Sequence, residues 1–161
     1  MSFDSIPFER ATVLYPQPVA LACGRVLSAR TIQDRLDAIF KCAEVLTRYT
    51  CAAAITSFAA RTDRAQPAPE AFERMRKNLS FGDFLTVVQA VAGVACDHPL
   101  KAHLASGFTG KNATANTSLI RLLELRNEHG HDLQSMWKPL AEAIFAEELP
   151  DQHLQTALLG P

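Results

Sequence analysis

The sequence lacks an excess of positive charge. Its 161 residues contain 16 Lys and Arg against 17 Asp and Glu, so the formal net charge is −1. Proteins that hold nucleic acid along an extended phosphate track carry a clear cationic excess. The charge balance therefore excludes extended nucleic-acid binding, and any nucleic-acid contact must be confined to a small local site.

The sequence also lacks the features of secreted and membrane proteins. The first ten residues include Asp4 and Glu9 and have no basic start followed by an apolar run, so no secretory signal is predicted and we expect a cytoplasmic protein. The longest weakly polar stretch, 50–60, is shorter than the roughly 18 apolar residues that span a bilayer. The four cysteines form no Cys-x-x-Cys pair, and we expect buried, reduced thiols.

The sequence does contain hydrophobic residues that recur at helical spacing. No alternating pattern is long enough for a strand, so the predicted class is all-α, with a single domain over 1–161. Residues 1–30 contain several prolines and predict an irregular arm, with a short helix from about Val19 to Ser28. A bundle of about four to six helices is predicted over 31–149. Residues 150–161 are expected to be a tail or the start of a linker.

The longest predicted helix extends from 31 to about 61. Thr31 and Asp34 form a capping pattern at its start, because a threonine hydroxyl accepts a hydrogen bond from an early backbone N–H. Pro139 is expected to bend the last helix or to mark its beginning. The other helices are predicted at 69–78, 80–96, 118–128 and 133–149, and a long polar loop is predicted at 97–117.

The helix predicted at 118–128 carries a charged residue on its apolar side. Leu119, Leu122 and Leu123 define its core-facing stripe, and Arg126 is the next member. An unpaired arginine is almost never fully buried. One interpretation is a buried arginine with an acidic partner, for which the candidates are Glu128, Glu44 and Asp37. The other is an arginine that faces a ligand or a second subunit.

Two histidines, His129 and His131, follow Arg126 and are separated by Gly130. On an unbroken helix, His131 lies about 140° around from Arg126, and the two side chains cannot share a target. If the helix ends at Gly130 in a left-handed cap, the chain turns back and His131 swings toward Arg126. A histidine that titrates near neutral pH and an arginine then suit phosphoryl chemistry without a metal.

Residues 126–131, Arg-Asn-Glu-His-Gly-His, resemble the Arg-x4-His motif of HEPN domains (higher eukaryotes and prokaryotes nucleotide-binding). The match includes the asparagine that often follows the arginine. HEPN domains are helical bundles with a long early helix and the motif near the junction of the last two core helices. The resemblance covers roughly 31–149, and 13–60 also resemble the front of bacterial defence-type proteins. The sequence departs from the family at Asp132, where glycine is common.

The resemblance implies a metal-independent endoribonuclease that acts as a homodimer in phage defence or in a toxin–antitoxin pair. Two protomers would set their motifs around one RNA phosphate, across a two-fold axis. Arg126 would stabilise the developing charge, His131 would act as general acid or base, and Asn127 would orient the other two. Because many HEPN domains bind without cutting, the alternative is a non-catalytic dimerisation or sensor module. Such a module would be the N-terminal domain of a larger defence protein. The partners implied for the chain are RNA, a second copy, and an antitoxin or a covalently attached effector or sensor domain.

Weaker candidates for RNA contacts are His129, Lys111 and Lys101. The two lysines belong to the predicted polar loop and would act as cationic arms. The run 107–114 resembles a phosphate-binding loop only superficially, since Asn112 replaces the Ser or Thr that must follow the lysine. Nucleotide hydrolysis is therefore not expected.

The remaining histidines do not predict a metal site. His98 and His103 could bind a metal with His129 or Asp97, but no Cys or His spacing matches a standard zinc pattern. We therefore expect surface or loop histidines at 98 and 103, no metal and no cofactor.

Overall fold

The computed structural model describes residues 4–64, 67–76, 79–110, 113–130, 133, 136 and 138–159, with only the backbone of Leu159. Within these residues the chain forms eight α-helices and one 3-10 helix, and no strand. The α-helices are α1 (Ile6–Leu14), α2 (Gln17–Ser28), α3 (Ile32–Ala59), α4 (Phe81–Gly93), α5 (Lys101–Phe108), α6 (Thr114–His129), α7 (Lys138–Glu148) and α8 (Pro150–Leu159); the 3-10 helix is Glu70–Arg76. The all-α class is confirmed, but the described helices outnumber the four to six that were predicted.

The longest helix, α3, begins where the capping pattern predicts. The Thr31 hydroxyl accepts a hydrogen bond from the Asp34 backbone N–H at 3.0 Å, which satisfies a donor that has no partner within the helix. Leu36 and Ile39 on its inner face are fully buried. Because α3 packs against α2, α4, α6, α7 and α8, it is the element around which the other helices assemble.

The short helix predicted from about Val19 to Ser28 is confirmed as α2, but the rest of 1–30 is not an irregular arm, because α1 occupies Ile6–Leu14. Prolines stand in the first turns of both helices, where the N–H that proline lacks would have no helical partner. The two helices bury Phe8 and Val19 in the main core. The prolines that suggested irregular structure therefore mark helix beginnings.

The predicted loop at 97–117 is also wrong, since it contains α5 and the start of α6. α6 begins at Thr114 rather than at the predicted residue 118, and Ser118 is buried within it. The early start gives α6 an additional turn. This turn packs against the C-terminal region.

The C-terminal region forms two helices where one helix and a tail were predicted. α7 ends at Glu148, and Leu149 has a φ of 46°, so the chain turns there and Pro150 begins α8. α8 packs against α6, and Leu154 and Leu158 are buried. Residues 150–159 are therefore part of the packed structure. Pro139 is the second residue of α7, so it marks the beginning of that helix rather than a bend.

The buried residues form two hydrophobic clusters. The larger one joins α1, α2, the first half of α3, the start of α4, α6, α7 and α8. The smaller one joins the second half of α3 with α4 and α5, and includes Phe58, Val88 and Leu104. None of the described helices is both long and apolar enough to cross a membrane.

Candidate functional site

Arg126 lies near the end of α6, at the edge of its buried face. The buried residues around it are Leu119, Leu122 and Leu125, whereas Leu123 is only partly buried. The buried face of α6 therefore differs from the predicted one, because Leu125 takes the core position that Arg126 was expected to occupy. The Arg126 side chain is 39% exposed, so its guanidinium is available to solvent.

The guanidinium of Arg126 faces a carboxylate on α3. One terminal nitrogen lies 3.7 Å from Glu44 Oε2, so Glu44 is the partner among the three acidic candidates. Glu44 is already bound by Arg48, one turn further along α3, at 2.5 Å. Two cations thus share one carboxylate, and the contact with Arg126 is the longer one. A single contact of this length is weaker than a hydrogen-bonded ion pair.

Gly130 does not form the predicted left-handed cap. Its φ and ψ are −69° and −16°, so the right-handed helical path continues through it. Its N–H donates to the Arg126 carbonyl at 2.7 Å, and a Cβ at position 130 would collide with that same carbonyl oxygen. Glycine is therefore suited to this position by a close backbone approach and not by a turn. The left-handed conformation expected at Gly130 is therefore wrong.

Three of the predicted site residues share the last two turns of α6. Asn127 is exposed, and His129 is partly exposed, with its Nε2 atom 3.7 Å from the Glu128 carboxylate. Together with Arg126 they form a polar helix end. The predicted general acid or base, His131, lies outside the described residues.

The two predicted lysine contacts are not part of this helix end. Lys101 is exposed and begins α5, so it belongs to a helix and not to the loop predicted there. Lys111 lies outside the described residues.

The chain beyond the motif packs against the acidic start of α3. Leu133 is buried and lines a recess of about 340 Å³ together with Thr31, Gln33, Asp34 and Asp37. The Gln33 side chain also donates a hydrogen bond to the Met136 carbonyl at 3.4 Å. This recess carries negative charge, which disfavours a phosphate. Any anion at the motif must therefore bind on the side of Arg126.

A second recess of about 350 Å³ lies between α6 and α8. Its polar lining includes Thr114, Thr117, Gln152 and His153. Burial, and then the charge of Arg121, lower the pKa of His153 below its ordinary value of 6.5. The imidazole is therefore mostly neutral at pH 7.

His98 lies in the loop between α4 and α5, in agreement with the prediction of a surface or loop histidine, but it is buried there rather than exposed. Its Nδ1 atom lies 2.8 Å from the Ser57 hydroxyl on α3, which also accepts the Leu100 backbone N–H at 3.0 Å. The Nε2 atom is buried without a hydrogen-bond partner among the described residues. The contact ties the segment before α5 to α3. A serine on the apolar face of α3 was the signal in the sequence, but nothing identified His98 as its partner.

His103 is exposed on α5, in agreement with the predicted surface position. The described residues contain no cluster of His, Cys, Asp and Glu that could hold a metal ion. Comparison with protein-family models, with curated proteins and with solved structures found no match to the chain. The functional interpretation therefore depends on the residues themselves.

Proposed function

We propose that the chain is a metal-independent endoribonuclease of HEPN type, with Arg126, Asn127 and His131 as its site. The supporting observation is that Arg126 is partly exposed and only weakly paired. Its side chain is 39% exposed and, among the described residues, its guanidinium forms one ion pair, a long contact of 3.7 Å, which leaves donors that a phosphate can use. Asn127 is exposed beside it.

In the proposed reaction, the ribose 2′-hydroxyl attacks the adjacent phosphorus and the bond to the 5′-oxygen of the next nucleotide breaks. His131 takes the proton from the 2′-hydroxyl or gives one to the leaving oxygen. Arg126 stabilises the negative charge that develops on the phosphate oxygens, and Asn127 orients the other two side chains. The products are a 2′,3′-cyclic phosphate and a 5′-hydroxyl.

The proposed enzyme is a homodimer in which the motifs of two copies surround one RNA phosphate. Two arginines at one place would supply local positive charge on a protein whose net charge is −1. We assign the activity to phage defence or to a toxin–antitoxin pair in the cytoplasm. An antitoxin or an attached sensor domain would then restrain it.

The test is RNA cleavage in EDTA by the wild-type protein and by His131→Ala. We expect the substitution to lower the cleavage rate by about 100-fold or more, because it removes the proton-transfer group. His103→Ala is the matched control, since it removes an exposed histidine from another helix, and we expect it to cleave at the wild-type rate. Equal rates for all three proteins would overturn the role of His131.

A second candidate is a non-catalytic dimerisation or sensor module. The observation that favours it is the same ion pair considered as a structural contact, in which Arg126 links α6 to Glu44 on α3. This function predicts that wild-type protein and His131→Ala are equally inert toward RNA while their dimers stay intact.

A further inference from the structure

The side chains of Cys23 on α2 and Cys42 on α3 are in direct contact. Their Sγ atoms lie 3.6 Å apart, although the residues are separated by 19 positions in the sequence. Both thiols are free, and both residues are fully buried in the larger hydrophobic cluster. The other two cysteines, Cys51 and Cys96, belong to the smaller cluster. Cys23 and Cys42 are therefore a pair of thiols held together by the packing of two helices.

This contact is close to the geometry of a covalent bond. A disulfide has a sulfur–sulfur bond of about 2.05 Å, so the two Sγ atoms need to approach by roughly 1.5 Å. Each Sγ atom swings about its own Cα–Cβ bond, and α2 packs directly against α3. Side-chain rotation together with a small shift of α2 can therefore close the distance.

The two thiols are not chemically equivalent. The hydrogen bond from Cys42 lowers the pKa of Cys23 below its ordinary value of 9.0, because it stabilises the Cys23 thiolate, and burial opposes this effect more weakly. The same hydrogen bond, and then burial, raise the pKa of Cys42. Because the thiolate is the reactive form of cysteine, Cys23 is the better nucleophile of the pair, and Cys42 is placed to react with its oxidised product.

We propose that Cys23 and Cys42 form a redox modification site, at which a peroxide converts the two thiols into a disulfide between α2 and α3. The Cys23 thiolate attacks one oxygen of hydrogen peroxide and the O–O bond breaks, which leaves a sulfenic acid on Cys23; the departing hydroxide takes up the Cys23 proton and becomes water. The Cys42 sulfur then attacks the sulfenic sulfur and loses its proton, the S–O bond breaks, a second water leaves and the S–S bond forms. The two thiols lose two electrons, and one peroxide is reduced to two molecules of water.

Access to this pair depends on local opening of α2. Both residues are fully buried, so a peroxide reaches the sulfur atoms only when α2 separates locally from α3. Gly24 follows Cys23 inside α2, and glycine weakens a helix interior relative to alanine. A Cβ at position 24 would meet no other part of the described structure within 4 Å, so packing does not require this glycine. Gly24 therefore favours opening beside Cys23, and the rarity of that opening makes the oxidation slow.

The test is mass spectrometry of the intact chain after incubation with hydrogen peroxide, with free thiols alkylated under denaturing conditions. We expect a mass loss of about 2 Da, reversed by dithiothreitol, and alkylation of two of the four cysteines. Peptide mapping of the oxidised wild type should show the segment of Cys23 joined to the segment of Cys42. Four alkylated cysteines after peroxide treatment, or a disulfide between other residues, would overturn the proposal.

Substitutions of single cysteines supply the controls. Cys23→Ser and Cys42→Ser each remove one member of the pair, so we expect neither variant to show the mass loss. Cys51→Ser is the matched control, because it removes a buried cysteine from the other hydrophobic cluster, and we expect it to lose about 2 Da as the wild type does. The same mass loss in Cys23→Ser would contradict the assignment.

The route of access is tested with Gly24→Ala. Because alanine strengthens the helix interior without a steric conflict, we expect the variant to form the disulfide about fourfold more slowly and to reach the same final mass. An unchanged rate would overturn the local opening of α2.

The disulfide should also change thermal stability. It closes the segment between residues 23 and 42 in the unfolded chain, so we expect the Tm of the oxidised wild type to rise by roughly 5 °C or more. A lower Tm would contradict a bond that fits the packing of α2 on α3. None of these measurements involves RNA, so this proposal and the proposed ribonuclease can fail independently.

Discussion

Two arginines on α6, Arg121 and Arg126, differ more in their partners than in their exposure. Their side chains are 32% and 39% exposed. Arg121 contacts Glu148 with two nitrogens, at 2.5 and 3.0 Å, and Glu124 with a third at 3.1 Å. In the part of the chain that the structure describes, Arg126 has one ion-pair contact, with Glu44 at 3.7 Å. Exposure alone therefore does not distinguish a structural arginine from one that is available to a ligand.

The surroundings of each arginine explain the difference. Glu148 is the last residue of α7, so Arg121 links α6 to the corner where the chain turns into α8. Its hydrogen bonds with Glu148, and then with Glu124, raise the pKa of Arg121 above its ordinary value. Arg126 instead shares Glu44 with Arg48, which holds the carboxylate more closely. Breaking the contact between Arg126 and Glu44 therefore costs less free energy than breaking the contacts of Arg121.

The largest expected effect is on catalysis. We expect Arg126→Ala to lower RNA cleavage by about 100-fold or more, because it removes the group that stabilises the developing charge. Arg121→Ala is the matched control on the same helix, and its cleavage rate should stay within about threefold of the wild type. Initial rates on a fluorescent RNA measure both. A comparable loss in the two variants would contradict the distinction between these arginines.

For stability we expect the opposite order, in which Arg121→Ala has the larger effect and Arg126→Ala the smaller one. Arg121→Ala removes a three-contact clamp between α6 and the α7–α8 corner, and we expect it to lower the free energy of unfolding by about 1 kcal/mol. Arg126→Ala removes one long contact and should cost less than about 0.5 kcal/mol. Urea unfolding followed by circular dichroism measures both values. If Arg126→Ala proved the more destabilising, Arg126 would be a structural residue, as the second candidate function requires.

The sequence predicted the elements whose signals are local. Thr31 with Asp34, followed by apolar residues at helical spacing, marked the start and the inner face of α3. It missed α1, and it placed the start of α2 after Pro18, because proline breaks a helix interior but is tolerated in a first turn, and sequence alone did not distinguish the two positions. It missed α8 because the turn depends on a positive φ at Leu149, which leucine rarely adopts.

The candidate site was predictable in its composition but not in its geometry. Glu44 was one of three possible partners for Arg126, and only the packing of α3 against α6 selects it. Gly130 follows the last helical residue, where glycine usually adopts a left-handed conformation. Here its close approach to the Arg126 carbonyl keeps it right-handed. The choice of Glu44 depends on a contact between two helices that are distant along the chain, and spacing along the chain does not encode such a contact.

A smaller effect is expected when the shared carboxylate loses its charge. Glu44→Gln removes the competitor of a phosphate for Arg126, so we expect RNA cleavage to rise about two- to threefold at subsaturating RNA. Glu142→Gln is the matched control, because Glu142 forms a 3.6 Å pair with Lys138 on α7. The control should leave the rate unchanged. A loss of cleavage in Glu44→Gln would show that Glu44 positions Arg126 for the reaction instead of competing for it.

The smallest expected effect is on the pH dependence of stability, through His153 near Arg121. Burial, and then Arg121, lower the pKa of His153, so the folded state binds this proton less readily than the unfolded state. The contribution of His153 to stability is therefore fully present above the unfolded pKa of 6.5 and is lost as the pH falls through the folded pKa. We expect His153→Gln to lose less stability than the wild type between about pH 7.5 and about pH 5. Because Arg121→Ala removes a charge that disfavours protonation, it should reduce the same pH dependence, whereas Arg126→Ala should leave it unchanged. Thermal unfolding at both pH values makes the comparison, and equal changes in Tm for all variants would contradict it.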